Sequence, residues 1–215
     1  MTSPQLMKMT GLSAAIAVCV ALGACKGNNE YGNDTLASAG ADTSAAAGAM
    51  APAPGSTSTA MSMDSLSDAN IFAILDQANQ GEVDASRLAA DKATNATVRQ
   101  FAQRMTNDHS TLQKQGRQLA QQLSITPTPP PNSQMADQQR AVQDSLRNVA
   151  KGAAFDSAYI NHEVVVHEQV LDALKKLGDA ADAQQLKDLI DKATPTIQSH
   201  LDRAKQLQDN LKTRT

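Results

Sequence analysis

The chain has 215 residues and a formal net charge of -3 at pH 7, with an isoelectric point near 5.8. This balance excludes the strongly basic surface that nucleic-acid-binding domains use, so no nucleic-acid partner is predicted. Aromatic residues make up only 2% of the chain and Trp is absent. Ala, Gln, Leu, Asp and Lys dominate the second half, a composition that favours helices.

The first 25 residues have the organisation of a bacterial lipoprotein signal. Lys8 precedes an apolar run, Gly11 to Leu22, which is too short for a membrane span because such a span needs about 20 residues. The run ends in Leu22-Gly23-Ala24-Cys25, which resembles a lipobox. We therefore predict a signal peptide over residues 1–24 and lipidation of Cys25.

Lipidation would anchor the mature protein in the cell envelope, facing the periplasm. Lys26 follows the cysteine, where proteins retained in the inner membrane commonly carry Asp, so the outer membrane is favoured. The alternative is an ordinary secretory signal that is cut after Ala24. Because Cys19 would be removed with the signal, the mature domain would contain no disulfide.

Residues 25–65 are predicted to form the lipidated cysteine and a disordered, low-complexity tether. They are rich in Gly, Ala, Ser, Thr, Asn and Pro and have few large apolar residues. Such a segment cannot bury enough apolar surface to offset the entropy lost on ordering. The folded domain is therefore predicted to occupy residues 66–215.

From Asp68 onward, apolar residues recur at the spacing of three and four that marks one face of a helix. Four long amphipathic helices with short turns after the first and third predict an all-α, antiparallel four-helix bundle, with a short extra helix in the connection between the second and third. The first predicted helix runs from Asp68 to Ala93 with Asp68 as N-cap, and the second runs from its N-cap Asn95 to Leu123. A short helix from Met135 to Ala150 follows the Pro-rich residues 126–131. The third long helix runs from Phe155 to Leu177, where Gly178 stops it, and the fourth runs from Ala181 to Leu211 and is kinked or restarted by Pro195.

Each long helix carries an ionisable residue on its apolar face, and such groups are costly to bury unless they are paired or bind a metal. Counted from the turns, four of these residues lie within about 6 Å of one level, whereas His200 lies one to two turns lower. The residues on the apolar faces are Glu82, His109, Glu163, His167 and His200.

One interpretation of this cluster is a metal site for iron, manganese, zinc or copper. Glu82, His109 and His167 are the predicted ligands, and His200 and Glu163 are further candidates. Asp108 and Tyr159 are predicted to support the ligands from behind, with Asp108 orienting a histidine by a hydrogen bond. The alternative is a buried hydrogen-bonded network that sets the register of the helices.

Two sharper metal motifs are absent. No Glu or Asp stands three residues before a His, as it does in di-iron carboxylate bundles. His162 and His167 are five residues apart, so their side chains point about 140° apart on a helix and cannot hold one zinc ion as in His-Glu-x-x-His. His162 is therefore predicted to be peripheral or solvated.

Four spaced motifs lie between about Asp68 and Leu211. They are Ala89-x-x-Lys92-Ala93, Val98-x-x-Phe101-Ala102-x-x-Met105-x-x-Asp108-His109, Phe155-Asp156-x-x-Tyr159 with His167 eight residues further on, and Pro195-x-x-x-x-His200-Leu201. Together they resemble the bacterial domain-of-unknown-function family 4142. The resemblance implies an exported, ferritin-like helical bundle, often a lipoprotein, and it implies no established activity. The matching site positions are Glu82, Asp108, His109, Tyr159, His167 and His200, and Glu163 lies outside that set.

These observations predict an envelope lipoprotein whose bundle core binds a metal ion for storage, buffering or protection against stress. A second hypothesis is a structural or interaction module of the envelope whose polar core binds no metal. A metal-dependent oxidoreductase is the least favoured hypothesis because the di-iron spacing is missing. No catalytic residue is assigned, and the sequence does not indicate a protein partner.

Overall fold

The structure is a computed structural model that describes residues 66–213. This range contains helices and no strands, which confirms the predicted all-α class. The predicted signal peptide, Cys25 and the tether lie outside the described residues. The helices are α1 (Asp68–Lys92), α2 (Ala96–Gln122), α3 (Met135–Asn148), α4 (Ala153–Ala180) and α5 (Gln184–Lys212).

The N-cap of α1 lies one residue earlier than the sequence predicted. Ser67, not Asp68, is the N-cap: its Oγ accepts from the Asn70 backbone N–H at 3.3 Å, and Asn70 Oδ1 accepts from the Ser67 N–H at 3.1 Å. The Asp68 carboxylate instead accepts from the N–H groups of Asp182 and Ala183, at 2.9 and 3.0 Å. Asp68 therefore ties the start of α1 to the turn between α4 and α5.

The turn between α1 and α2 is stabilised by one of its own side chains and by a side chain of α4. Asn95 is the N-cap of α2, as predicted, and its Oδ1 accepts from the N–H groups of Thr97 and Val98. The buried Asp156 of α4 accepts from Thr94 N, Thr94 Oγ1 and Asn95 N at 2.9, 2.8 and 2.9 Å. These bonds join the first helical pair to the start of α4.

Two predicted helix boundaries were wrong. Gly178 does not stop α4, which continues to Ala180, and α5 begins at Gln184 instead of Ala181. Glycine costs only about 1 kcal/mol in a helix, and a Cβ built on Gly178 would lie 3.7 Å from Ile190 Cγ2, so α4 and α5 approach closely here. Pro195 lies inside α5, which is not restarted there.

The helices pack as two pairs, with α1 along α2 and α4 along α5, and the shorter α3 contacts α1 and α4. One apolar cluster surrounds Phe101, Phe155 and Tyr159, and a second surrounds Ile71 and Leu186. On each of the four long helices a buried ionisable residue lies between the part that enters one cluster and the part that enters the other: Glu82, His109, His167 and His200. The polar residues therefore form a layer between two apolar cores.

None of the helices in residues 66–213 combines the length and the apolar character that crossing a membrane requires.

Candidate metal centre

Five ionisable side chains from four helices meet in the polar layer. Three of them are imidazoles whose ring centroids are close: His109 lies 5.2 Å from His200 and 5.6 Å from His167, and His167 lies 5.5 Å from His200. All five residues are buried, with at most 6% of their surface exposed to water. The five residues are Glu82 on α1, His109 on α2, Glu163 and His167 on α4, and His200 on α5.

The structure corrects the predicted level of His200. The sequence count started α5 at Ala181 and placed His200 one to two turns below the other residues. In the structure α4 ends at Ala180 and α5 begins at Gln184. His167 lies 13 residues before the end of α4 and His200 lies 16 residues after the start of α5, so their heights along the helix axes differ by only about 4–5 Å. His200 therefore joins the cluster.

One nitrogen of His109 is held as a hydrogen-bond donor. His109 Nδ1 lies 2.9 Å from Asn79 Oδ1, and Asn79 Nδ2 donates to the Leu75 carbonyl at 2.7 Å. The second bond identifies the amide oxygen of Asn79 as the acceptor, so Nδ1 of His109 carries the proton. The Nε2 atom of a neutral His109 then has a free lone pair.

The other two histidines follow the same arrangement. His167 Nδ1 donates to the Glu163 backbone carbonyl at 2.9 Å, and His200 Nε2 donates to Asp108 Oδ2 at 2.8 Å. Asp108 thus contacts a histidine, as expected, but this histidine is His200 on α5 and not the adjacent His109. The remaining nitrogens, His167 Nε2 and His200 Nδ1, are buried and have no hydrogen-bond partner among the described residues.

Burial keeps these rings neutral. It lowers the pKa of His109 well below 6.5, with further lowering from the charges of His167 and His200. It lowers the pKa of His167 from 6.5 to about 3, and it lowers that of His200 despite the hydrogen bond to Asp108, which acts in the opposite direction. Near pH 7 the site therefore presents three neutral imidazoles, the protonation state that binds metals.

A pair of carboxyl groups adjoins the imidazoles. Burial raises the pKa of Glu82 from 4.5 to about 7, and burial together with the Glu82 charge raises the pKa of Glu163 well above 4.5. Tyr159 lies beside them, with its hydroxyl 3.1 Å from Ser86 Oγ, and burial and then the Glu163 charge raise its pKa well above 10. Without a cation, the pair therefore tends to retain a proton.

The donor atoms lie close enough together to share a metal ion. Two overlapping sets, His109–His167–His200 and Glu82–Glu163–His167, each offer three ligand atoms within 4.8 Å of one another. More than about 90% of buried polar groups in proteins have a partner, yet each of the five residues has a buried side-chain atom that lacks one within the described range. Imidazole and carboxylate donors suit zinc, iron, copper or manganese.

Sequence reasoning missed two residues that support the site. Asn79 and Ser86 stand three residues before and four after Glu82 on α1, and they contact His109 and Tyr159 respectively. This spacing places both residues on the same helix face as Glu82, and it was the feature of the sequence that could have identified them.

His162 lies outside the cluster, as the helical spacing predicted. Its residue is partly buried in the wall of a neighbouring cavity, and burial lowers its pKa from 6.5 to about 4. It is therefore a natural control for the three clustered histidines.

Comparison with known proteins identifies a family and no activity. A search of curated proteins found no significant match, and neither did a search of solved structures. Residues 51–207 match the family described as Domain of unknown function (DUF4142). Since the match covers more than half of the 215 residues, the chain belongs to the DUF4142 family.

Proposed function

We propose that this protein is a lipid-anchored metal-binding protein of the bacterial cell envelope that holds a transition-metal ion for storage, buffering or protection against stress. One observation carries the proposal: three buried, neutral imidazoles each have one nitrogen held as a donor and the other without a partner. Metal-binding histidines in proteins are commonly oriented in this way, by a carboxylate or carbonyl acceptor behind the ring.

In this proposal His109 and His167 bind the ion through Nε2, and His200 binds through Nδ1. Glu82 and Glu163 stand beside them, and their negative charge would be stabilised by a bound cation after loss of the retained proton. The ion itself would act as a Lewis acid in the core, where apolar clusters on either side exclude water.

We further propose that the four long helices form an antiparallel, ferritin-like bundle. Short turns join α1 to α2 and α4 to α5, and each of the four helices supplies at least one of the five clustered residues. The envelope location and the lipid anchor rest on the signal and on Cys25 in the sequence.

A structural module without metal is the second candidate. The Asn79–His109 bond joins α1 to α2, and the Asp108–His200 bond joins α2 to α5, so both can set helix register. A network that served only this purpose would pair its buried nitrogens internally, whereas one nitrogen of each ring here has no partner in the described part of the chain.

Elemental analysis tests the metal proposal. The mature chain, residues 25–215 with Cys25→Ser so that it carries no lipid, is incubated separately with Zn²⁺, Mn²⁺, Fe²⁺ and Cu²⁺ and then desalted. We expect stoichiometric retention of at least one metal, lost in His109→Ala and in His167→Ala. The matched control His162→Ala, whose ring lies outside the cluster, should retain it. Failure to retain any of the four metals, or unchanged retention in His109→Ala, would contradict the proposal.

A further inference from the structure

A cavity of about 650 Å³ lies beside the candidate metal centre. Known ligand sites have volumes of about 300–1,000 Å³ and mostly apolar walls. Residues of all five helices and of the Pro-rich connection before α3 line this cavity. Because several residues of that connection, such as Pro127 and Pro131, are exposed, the cavity reaches the surface there.

The cavity is long and its wall is largely apolar. Its wall on α4 extends from His162 to Leu177, about 22 Å along the helix, and its wall on α1 extends from Phe72 to Glu82, about 15 Å. Leu112, Val170 and Ile190 are among the apolar residues in between. Such a shape fits a linear alkyl chain, which would make dispersion contacts with the apolar wall and remove that wall from water.

One end of the cavity carries unpaired hydrogen-bond acceptors. Gln143 of α3 is only 8% exposed, and its Oε1 has no partner in the described part of the chain, while its Nε2 lies 3.5 Å from the Gly81 carbonyl. Glu82, the next residue after Gly81, also lines the cavity and has an unpaired Oε2. A ligand head placed here must donate a hydrogen bond to Gln143 Oε1, which neither an ether nor a carboxylate can do.

We propose that this cavity binds a neutral, linear, long-chain alcohol, with its hydroxyl donating to Gln143 Oε1 and its alkyl chain lying between α1, α4 and α5. The alcohol satisfies the buried acceptor and fills the apolar length of the cavity. The site requires no metal, so this proposal stands or falls separately from the metal centre.

Isothermal titration of the chelator-treated mature chain (residues 25–215, Cys25→Ser) tests the proposal with three probes that each carry a ten-carbon chain. These are 1-decanol, decyl methyl ether, which cannot donate, and decanoate, which is anionic. We expect one saturable site for 1-decanol, with the ether and decanoate each binding about tenfold more weakly because neither can donate a hydrogen bond and Gln143 Oε1 stays unpaired. Equal affinities for 1-decanol and the ether, or no saturable binding of 1-decanol, would overturn the proposal.

Two kinds of variant locate the site. In Gln143→Leu, 1-decanol and the ether should bind within about twofold of each other, whereas the control Gln118→Leu, exposed on α2 and outside the cavity, should keep the tenfold preference. Ala78→Phe, in the cavity wall, should weaken all probes by at least about tenfold by occupying the space. Val142→Trp, on the α3 side of the cavity, provides a second blocking variant, and circular dichroism verifies that each variant is folded. A preserved preference in Gln143→Leu, or undiminished 1-decanol binding in a folded blocking variant, would place the ligand elsewhere.

Discussion

At the scale of single residues, the histidines are distinguished by what lies behind each ring. Asn79, the Glu163 carbonyl and Asp108 each accept one imidazole N–H. These acceptors fix the tautomer and the orientation of the rings before any ion is bound. Preorganisation of this kind raises metal affinity, because the cost of orienting the ligands is met during folding.

We expect Asp108→Ala to weaken metal binding by about 10–100-fold, since His200 loses the acceptor that orients its ring. Competition with a chelating indicator measures the dissociation constant. Asp108 also pairs with the exposed Arg104 at 3.2 Å, so Arg104→Gln is the matched control and should change the affinity little. Asp108→Asn, which keeps an acceptor oxygen, should recover part of the loss. An Asp108→Ala variant with unchanged affinity would show that His200 needs no such orientation.

Metal affinity should rise with pH through the region around pH 7. Burial raises the pKa of Glu82 from 4.5 to about 7, so below that pH the carboxyl is protonated and a metal ion must displace the proton. The imidazoles, with lowered pKa values, are already neutral and release no proton. Titration calorimetry in buffers of different ionisation enthalpy counts the released protons.

The Glu82→Gln variant should release fewer protons and show a flatter pH dependence. The control Glu168→Gln replaces a half-exposed glutamate of the same protein that pairs with Lys205, and it should behave like the parent. Equal proton release from the parent and Glu82→Gln would exclude Glu82 as the source.

At the scale of helices, the ends are stabilised by side chains that lie far away in the sequence. Asp68 at the start of α1 caps the turn before α5, and Asp156 at the start of α4 caps the turn between α1 and α2. Each carboxylate satisfies backbone N–H groups that a helix start leaves without an intrahelical partner. These bonds hold the two helical pairs together and thereby set the level of the histidines.

Replacing Asp156 with Ala should lower the free energy of unfolding by about 2–4 kcal/mol, because two backbone N–H groups and the Thr94 hydroxyl lose a buried, charged acceptor. Urea denaturation measures this change. Asp172→Ala, on the same helix, removes an exposed ion pair with Lys176 and should cost at most about 0.5 kcal/mol. Similar losses in the two variants would contradict the capping role of Asp156.

At the scale of the whole molecule, a polar layer separates two apolar clusters. Unpaired buried polar atoms in this layer oppose folding, and a bound cation would remove that cost. Metal binding and stability should therefore be linked.

At a metal concentration 100-fold above the dissociation constant, we expect about 2.7 kcal/mol of added stability, which raises the melting temperature by about 5–10 °C for a domain of this size. A thermal scan with and without chelator measures the shift. His109→Ala should show none, and His162→Ala should show the full shift. A parent protein that binds metal and melts at an unchanged temperature would place the ion outside the folded core.

The sequence by itself determined the helical class, the approximate extent of the helices and the inward position of Glu82, His109, Glu163 and His167. These properties follow from local periodicity, because burying one face of a helix imposes a repeat of three and four residues along the chain. The tertiary structure alone decided that His200 reaches the same level, that Asp68 caps a different helix and that Asn79 supports His109. Those facts depend on contacts with other helices. Packing and end capping set the relative heights of the helices, and neither produces a repeat in the sequence.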